Sequence, residues 1–402
     1  MKLVETHNLK PTKELKYLTH ASKNLYNITL YNVRQFYFKE KKYLNYSKLN
    51  KQFKEENNFD YRGLPAKVAQ QTMKMVEQNF KSFFAALKEY KKDPSKFEKC
   101  PKPPKYKDKN GHFLLTYTNQ AISKTEFQKF GCIKLSGTNI SIKTQIKEFD
   151  TIQQVRIIPV GNHFRAEIVY IKQEPELIKN DVVAAIDLGI NNLATVSFNS
   201  GKNAFAVNGR PLKSINQFFN KQKAKTQSTL ERRNKKDWSK KMSAIQTKRN
   251  NKIKDYMHKA SKLIVQKLVS NKVSTLVIGK NDGWKNEVNM GKKNNQNFVQ
   301  IPFNQFIQML SYKCRLQGIN TVFQEESYTS KCSFLDREEI CKHERYMGKR
   351  IKRGLFRTAF GRKISADLNG SYNIMKKAVS NFFLKGIDEI EGVLVHPKLI
   401  TA

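Results

Sequence analysis

The stretch VVAAIDLGINNLATVSF, residues 182–198, decides the fold of this chain. It contains two apolar runs separated by an aspartate and a Leu-Gly turn. Such a pattern predicts two adjacent strands, the first of them buried. The segment NAFAVNG (203–209) has the same texture and predicts a third strand. The chain from 178 onward is therefore expected to be built on a sheet that begins with three consecutive strands.

Helices and strands alternate after this triplet. A long basic helical region is predicted at about 211–270, and a basic irregular segment precedes the last helix. The other predicted elements are a buried strand (273–279), a helix (303–317), a strand (319–326) and the last helix (366–384). Three strands followed by alternating helix and strand is the order of an RNase H-like α/β fold. We expect that fold over residues 178–402.

The first part of the chain has a different character. Residues 1–10 are predicted as one isolated strand and residues 11–98 as a helical lobe. The lysine- and proline-rich segment 91–109 predicts an extended connector. Short strand-like runs separated by turn residues follow it. They predict a small β-barrel or sandwich over 99–177. We favour a barrel whose first strand is residues 1–10 and into which the helical lobe is inserted.

The charge of the chain indicates a polyanionic partner. Its 402 residues include 75 Lys and Arg against 34 Asp and Glu, a formal net charge of +41. Such a surface repels itself unless a polyanion neutralises it, and nucleic acid does so with release of counterions. A membrane surface is the competing partner, but the apolar runs are short and the segment MKLVETHNLKPTKE lacks the apolar core of a signal peptide. We therefore expect a cytoplasmic, nucleoid-associated protein with no membrane partner.

Basic residues that few acids offset are the candidates for contact with nucleic acid. Those of region 211–270 could form a solvated helix face, but phosphate contact is favoured because acids are scarce there. The segment 342–363 is equally basic. Trp284, beside Lys285, either stacks on a base or pins its loop to the core. The predicted contacts are Lys221, Lys223, Lys225, Arg232, Arg233, Lys235, Lys236, Trp284, Lys285, Lys349, Arg350, Lys352 and Arg353.

Acidic residues at the ends of predicted elements are the candidates for catalysis. Asp187 ends the first strand of the triplet, Asp367 opens the last helix, and Glu325 and Glu326 end the strand 319–326. Taken singly, each has an ordinary interpretation as a turn, cap or surface residue. The order of elements in the predicted fold brings all of these acids to one edge of the sheet. Two Asp and one Glu at that edge can hold two Mg²⁺ or Mn²⁺ ions roughly 3.5–4 Å apart. Strand alternation points Glu325 and Glu326 to opposite faces, so at most one of them joins the cluster.

Three segments of the chain resemble a known family. They are AAIDLGINNLATV (184–196), TSKCS (329–333) and ADLNGSYNI (366–374). In this order and spacing they resemble TnpB, the transposon-encoded RNA-guided RuvC nucleases related to type V CRISPR effectors and to Fanzor. The resemblance implies a RuvC nuclease domain, a wedge β-barrel with a helical recognition lobe, a guide RNA, and a double- and single-stranded DNA target. It also implies that Asp187 is the first RuvC acid and Asp367 the third.

The chain departs from the TnpB pattern at the middle acid. Many TnpB proteins carry a Glu at the end of the strand 273–279, where this chain has Gly279. Other members place a substitute Glu just before the Thr-Ser motif, which is the position of Glu326. The resemblance therefore implies Asp187, Glu326 and Asp367 as the catalytic and metal-binding set, with Glu325 as the fallback.

A second departure concerns zinc. TnpB proteins usually carry a four-cysteine zinc ribbon after the Thr-Ser motif, but here Cys332 has Leu335 where its partner should stand, and only Cys341 and His343 follow nearby. A closed structural zinc site needs four ligands. We therefore expect zinc to be absent and a degenerate ribbon at about 329–362, a cryptic site being the alternative. The five cysteines are odd in number and scattered, so no disulfide framework is predicted.

These features predict an RNA-guided DNA endonuclease, associated with a mobile element, that hydrolyses phosphodiesters with two metal ions. Two alternatives belong to other classes. A nuclease-dead, RNA-guided DNA-binding repressor would follow if the acids do not form a complete site. A transposase or transposition accessory protein would have to carry out or assist strand transfer, for which the chain offers no dedicated residues.

Overall fold

A computed structural model describes the chain at residues 1–200, 204–234, 238–281, 296, 298–379 and 397–402. Packing divides the chain into two units, Met1–Gln173 and Glu174–Ala402. Across the described residues, none of the helices has the length and apolar character needed to cross a membrane.

The first unit contains an open antiparallel sheet. Its strands are β1 (Lys2–Leu9), β2 (Leu115–Thr118), β3 (Cys132–Lys134), β4 (Ser141–Lys143), β5 (Ile152–Val160) and β6 (His163–Ile171). Four of them pair in the order β1-β6-β5-β2, and β3 pairs with β4 in a separate hairpin. The predicted closed barrel is not confirmed, because β1 and β2 remain the two edges of the sheet and the four-residue β2 pairs only with β5.

Helices fill the chain between β1 and β2. They are α1 (Lys13–Glu40), α2 (Tyr46–Glu55), α3 (Phe59–Arg62) and α4 (Ala66–Lys92), and α5 (Lys124–Phe130) follows β2. The start of α1 is capped by Thr12, whose hydroxyl accepts a hydrogen bond from the Leu15 amide at 3.1 Å. Apolar side chains recur along one face of α4 and are buried, namely Ala69, Met73, Val76 and Phe80. They join the inner face of the sheet in one hydrophobic core, so the predicted lobe and strands share a core.

The second unit is built on a six-stranded mixed sheet. Its strands are β7 (Val183–Leu188), β8 (Asn192–Phe198), β9 (Phe205–Asn208), β10 (Thr275–Gly279), β11 (Asn320–Gln324) and β15 (Lys398–Ile400), and its helices are α6 (Arg210–Asn234), α7 (Lys240–Ser270), α8 (Phe303–Arg315) and α9 (Ala366–Ala378). The order is β11-β10-β7-β8-β9-β15. Strands β7, β8 and β9 are antiparallel, while β10 is parallel to β7 and β11 to β10. This is the predicted RNase H-like arrangement.

The two faces of β7 pack into different cores. Ala184 and Ile186 belong to the large cluster formed with α7 and α8. Ala185 packs on the opposite face with Ile374 of α9. Since successive strand residues alternate between faces, Asp187 leaves the sheet on the α9 side.

The segment before α9 is more ordered than its sequence indicates. The predicted irregular segment contains a three-stranded antiparallel sheet of β12 (Lys349–Lys352), β13 (Leu355–Arg357) and β14 (Lys363–Ser365). Phe356 and Ile364 bury their side chains with Tyr372 of α9. Strands of three or four residues, in which half of the side chains are charged, give almost no periodic signal, which explains the missed sheet. Because β14 ends directly before α9, this small sheet is joined to the helix that carries Asp367.

Candidate active site

Asp187 lies near the end of β7, paired with Thr195 of β8. Helix α9 approaches it very closely, since a Cβ atom at Gly370 would lie 2.8 Å from Asp187 Oδ2 and 3.4 Å from its Cγ. A side chain at Gly370 would therefore displace the Asp187 carboxylate. Glycine within a helix costs about 1 kcal/mol relative to alanine, and this close approach gives a reason for it.

Glu326 reaches the end of β10 from a neighbouring segment. A Cβ atom built on Gly279 would overlap Glu326 Oε1, and it would lie 2.9 Å from Glu326 Cδ and 2.6 Å from Ile374 Cδ1. The Glu326 carboxylate therefore occupies the space that a side chain at position 279 would enter. The glycine at 279 and the acid at 326 are complementary features of one place in the fold.

The backbone around Glu326 is fixed on both sides. Its amide donates to Asn281 Oδ1 at 2.9 Å, and its carbonyl accepts from the amide and hydroxyl of Thr329 at 3.2 and 2.8 Å. The carbonyl of Thr329 in turn accepts from the buried Asn373 Nδ2 of α9 at 2.9 Å. The segment Glu-Ser-Tyr-Thr-Ser is thereby tied to the same helix that carries Asp367.

Glu325, the predicted fallback, is occupied elsewhere. Its side chain is exposed, forms an ion pair with Lys377, and accepts a hydrogen bond from the Ser327 amide at 2.8 Å. The bonds from Lys377 and Ser327 lower the pKa of the Glu325 carboxyl. Of the two adjacent glutamates, Glu326 reaches the space beside Gly279, whereas Glu325 pairs with Lys377 in the last turn of α9.

Asp367 lies in the first turn of α9. Its Oδ2 accepts a hydrogen bond from Asn192 Nδ2 at 2.8 Å, and its Oδ1 is 3.9 Å from an Nη2 atom of Arg350 on β12. The N-cap position is Ser365 and not Asp367, so the ordinary interpretation of Asp367 as a cap does not apply.

Two of the three acids, Asp187 and Glu326, are poorly solvated, and Asp187 is repelled by both of the others. Burial raises the pKa of Asp187 well above its usual range, the carboxylates of Glu326 and Asp367 add to the shift, and Arg350 opposes it. Burial also raises the pKa of Glu326 to about 7, with a contribution from the Glu325 carboxylate. Glu326 Oε1 is buried and has no hydrogen-bond donor among the residues that the structure describes.

A divalent cation suits this group of oxygen atoms. A buried carboxylate oxygen without a donor is unfavourable, and a bound cation compensates both the burial and the mutual repulsion. Carboxylate oxygens are the ligands that Mg²⁺ and Mn²⁺ prefer. Within the described parts of the chain, however, no three His, Cys, Asp or Glu side chains lie close enough together to form a ready-made ion site. The chemistry of the acids therefore suits a divalent cation, while their spacing here falls short of a three-ligand site.

The three side chains considered as zinc ligands, Cys332, Cys341 and His343, do not point to one common centre in their hydrogen bonds. The buried Cys332 thiol lies 3.6 Å from the Cys341 carbonyl oxygen. Cys341 Sγ is 3.4 Å from His343 Nε2, and that nitrogen is also 2.8 Å from the Glu339 carbonyl oxygen. All five cysteines are free, so none forms a disulfide.

The predicted nucleic-acid contacts fall into two described groups. One lies along α6, where side chains are exposed or half-buried, and comprises Lys221, Lys223, Lys225, Arg232 and Arg233. The other lies on β12 and the following turn, where all are exposed, and comprises Lys349, Arg350, Lys352 and Arg353. Four predicted contacts lie outside the described residues, namely Lys235, Lys236, Trp284 and Lys285.

The sequence reading missed several residues that shape this site. Asn192, which binds Asp367, lies within the stretch quoted first but carries no signal that distinguishes it from a turn residue. Gly370 does carry a sequence signal, because a glycine inside a predicted helix indicates a close approach of another part of the chain. Arg350 was predicted only as a phosphate contact, since its proximity to Asp367 depends on the small sheet that was not predicted.

Comparison with known proteins agrees with this architecture. Residues 167–285 match the family model OrfB_IS605, described as "Probable transposase", and residues 303–374 match the TNB domain of Cas12f1-like proteins. The chain is 29% identical over 211 residues to the TnpB-like protein ORF457 of Acidianus two-tailed virus. That match covers 50% of this chain and 43% of the relative, so it spans less than half of the viral protein.

A solved structure is similar over a larger part of the chain. It is a cryo-EM structure of a Cas12f1-sgRNA-target DNA complex, with a TM-score of 0.57 at 15% identity, covering 90% of this chain and 82% of the Cas12f1 chain. This likeness shows a RuvC-like nuclease fold. The first family match contains Asp187, and the second contains Glu326 and Asp367. These two matches, the TnpB-like relative and the Cas12f1 fold together support a relationship between this chain and the TnpB family.

Proposed function

We propose that this protein is an RNA-guided DNA endonuclease, associated with a mobile element, that cuts DNA with the carboxylates of Asp187, Glu326 and Asp367. Three facts support the guide RNA and the DNA target. The chain is similar to a TnpB-like protein, its fold resembles that of a Cas12f1 solved with an sgRNA and target DNA, and its net charge of +41 suits a polyanionic partner. In such systems the guide reads the sequence by base pairing, while the protein binds backbone and shape.

One observation carries the nuclease assignment. The Glu326 carboxylate fills the space above Gly279, against α9, and leaves a buried oxygen without a donor. A glutamate kept only for solubility would lie in water, as Glu325 does. An acid held at this edge of the sheet, electrostatically coupled to Asp187, is what metal-dependent hydrolysis needs.

Asp187, Glu326 and Asp367 would hold Mg²⁺ or Mn²⁺, which when bound supplies an activated water and stabilises charge on the leaving oxygen. Asp187 is electrostatically coupled to both of the other acids, so the three carboxylates would act together in holding the ions. Asn192 orients the Asp367 carboxylate through its 2.8 Å hydrogen bond. The Arg350 guanidinium, beside Asp367, is placed to bind a phosphate oxygen of the strand being cut.

The direct test is a cutting assay on the protein purified with its co-purifying RNA. Sequencing that RNA supplies the guide, and DNA matching the guide supplies the substrate. Asp187→Asn and Asp367→Asn should each lower the cutting rate at least ~10³-fold, because losing a metal ligand removes several kcal/mol of transition-state stabilisation. RNA and DNA binding should change little. Cutting at the full rate by the Asp187→Asn variant would refute the assignment.

A relocation variant tests the role of Glu326 itself. Glu326→Ala should abolish cutting, and Glu326→Ala combined with Gly279→Glu should restore part of it, because the second glutamate enters the space that the first has vacated. Gly279→Glu alone serves as the control and should disrupt the site, since its side chain would overlap Glu326. If the double variant is as inactive as Glu326→Ala under conditions where both are folded, the two positions are not equivalent.

A nuclease-dead, guide-directed DNA binder is the second candidate. The absence of a preformed three-ligand group among the described residues favours it. It predicts guide-dependent DNA binding with no cutting at any Mg²⁺ or Mn²⁺ concentration, which the same assay measures. A transposase would instead join transposon ends to a target in a strand-transfer assay.

A further inference from the structure

The ribbon-like segment between Glu326 and α9 is cross-linked by side chains that are not zinc ligands. We propose that a buried carboxylate, Glu338, takes the structural place of zinc in this chain, so that the small sheet bearing Arg350 is held without a metal. In this segment the chain offers two cysteines and one histidine, Cys332, Cys341 and His343, whereas a closed zinc site needs four ligands.

Glu338 joins two segments that are well separated in sequence. It is only 5% exposed, its Oε2 accepts from the Ser333 amide at 2.6 Å, and its Oε1 accepts from the Met347 amide at 2.9 Å. Ser333 follows Cys332, and Met347 lies shortly before β12. Hydrogen bonds to an ionised carboxylate are about twice as strong as neutral ones. One side chain thus connects the beginning of the segment to the strand that carries Arg350.

A second carboxylate, that of Asp336, accepts a backbone hydrogen bond at the other end of the small sheet. Asp336 Oδ2 accepts from the Ala359 amide at 2.8 Å, in the turn between β13 and β14. That turn is closed by its own bonds, from the Thr358 amide to the Arg362 carbonyl at 2.9 Å and from the Arg362 amide to the Thr358 hydroxyl at 3.1 Å. Glu338 and Asp336 therefore connect one short loop to both flanks of the sheet.

The loop that carries these acids is itself anchored on α9. Phe334 stacks on Tyr372 with ring centroids 4.7 Å apart and an interplanar angle of 14°. The buried Asn369 accepts from the Phe334 amide at 2.9 Å and donates to the Cys332 carbonyl at 2.8 Å. The carboxylates thus link the sheet to a support that α9 already fixes.

The remaining zinc-binding side chains do not complete a site. Both oxygens of Glu338 are bound to amides, and Oε1 stays 4.0 Å from His343 Nε2. His343 Nε2 is close to a carbonyl oxygen, and the Cys332 thiol is directed at another. No three His, Cys, Asp or Glu side chains in the described ranges are close enough to hold an ion. A structural zinc site needs four ligands, so the residues here do not fit zinc.

The experiment measures zinc content and thermal stability, neither of which depends on cutting. The full-length protein is purified without added zinc, its metal content is measured, and it is melted in Mg²⁺-free buffer with and without a zinc-selective chelator. We expect well below one zinc per chain and no change of melting temperature with chelator. One zinc per chain, lost together with stability in Cys341→Ser, would overturn the proposal.

Variants distinguish the contribution of the Glu338 carboxylate to thermal stability from that of the cysteine thiols. Glu338→Gln should lower the melting temperature by about 5 °C or more, because a charged acceptor of two amides is lost. The matched control Cys341→Ser should stay within about 1 °C of wild type, since its side chain makes no link between segments. If Glu338→Gln does not fold, Asp336→Asn gives a milder test and should lower the melting temperature by a few degrees. Unchanged stability in the foldable carboxylate variants would also overturn the proposal.

Discussion

The Glu326 carboxylate is buried, and its Oε1 has no hydrogen-bond donor among the described residues. This affects how the free energy of unfolding depends on pH. Burial raises its pKa to about 7 from an ordinary value of 4.5, and Glu325 adds to the shift. Because the folded chain then binds the proton more tightly than the unfolded chain, the free energy of unfolding falls as pH rises between about 4.5 and 7. At about 1.4 kcal/mol per pKa unit, the loss amounts to at most ~3 kcal/mol.

We therefore expect the metal-free Glu326→Gln variant to melt at a higher temperature than wild type at pH 8 and at nearly the same temperature at pH 5. The neutral amide mimics the protonated acid, so the variant avoids the cost of ionisation. Mg²⁺ should stabilise wild type at pH 8 and stabilise the variant much less. Glu325→Gln is the matched control and should show a smaller gain, because it removes only the minor contribution to the Glu326 shift and also loses the ion pair between Glu325 and Lys377. A variant less stable than wild type at pH 8 would contradict the assignment of an unfavourable carboxylate.

Arg350 acts on the acids from the small sheet. Its guanidinium is 3.9 Å from Asp367 Oδ1 and lowers the pKa of Asp187, in opposition to burial. Arg350→Ala should therefore raise the pKa of Asp187 further. Since the acids of the proposed site would bind metal in their ionised form, the acidic limb of the cutting rate should move to higher pH, and the rate at neutral pH should fall about tenfold or more.

Arg353→Ala provides the matched control for this experiment. Arg353 is an exposed arginine that lies just after β12, and its loss should weaken DNA binding without moving the pH profile. The measurement is the cutting rate across pH at saturating Mg²⁺ for both variants. Identical profiles for Arg350→Ala and Arg353→Ala would reduce Arg350 to an ordinary phosphate contact.

The residues of helix α9 contact different parts of the site from different faces of the helix. Asp367 and Gly370 face the acids, while Ser371 donates to the Ala185 carbonyl of β7 at 3.0 Å. Asn369 and Asn373 instead bind the segment that carries Glu326 and the ribbon loop. The polar residues Asn369, Ser371 and Asn373 are buried in this helix. Their hydrogen bonds to backbone carbonyls connect it to the sheet, the Glu326 segment and the ribbon loop.

Gly370→Ala tests how closely α9 must approach β7. Alanine is the better helix former by about 1 kcal/mol, so stability should change little or rise where the structure can adjust. The added Cβ would nevertheless lie 2.8 Å from Asp187 Oδ2 and displace that carboxylate. We expect cutting to fall at least ~10-fold while the melting temperature is maintained, as a misplacement near 1 Å costs about that much or more. Melting curves and cutting rates of the same preparation measure both; full activity would mean that Asp187 has room to move.

The sequence predicted the main sheet and its order because long apolar strands and helices have strong periodic signals. It predicted the position of Asp187 for the same reason, since the residue ends such a strand. The choice of Glu326 came from family resemblance, because strand alternation alone left Glu325 open. The small sheet β12–β14 and the contact of Arg350 with Asp367 depend on short charged strands and on packing against α9. The carboxylate link at Glu338 was equally invisible, since a buried acid in a basic segment has no sequence signature.

Under the proposed function, the distribution of charge over the second unit predicts where nucleic acid binds. Helix α6 has seven Lys and Arg residues and α7 has nine, and each helix carries one acid, Glu231 and Asp255 respectively. Asp255 is paired with Lys259 at 2.9 Å. Glu231 is six residues from Lys225 and cannot pair with it along the helix, where partners are three or four apart. The lysines near the middle of α6 are therefore uncompensated by their own helix.

Replacing Lys221, Lys223 and Lys225 by Gln should weaken binding of the co-purified RNA and make it less dependent on salt. Each lost phosphate contact lowers the slope of log K against log salt by about 0.7 to 0.9, so three contacts lower it by about 2 to 3. The matched control is a triple Gln variant on the first unit, at Lys51, Lys81 and Lys92, which pair with Glu55, Glu77 and Glu89 at 3.8, 3.9 and 3.1 Å. Both variants remove the same net charge, and surface pairs add little stability. Anisotropy titrations over a salt series should separate them, and equal slopes would mean that overall charge, rather than α6, binds the RNA.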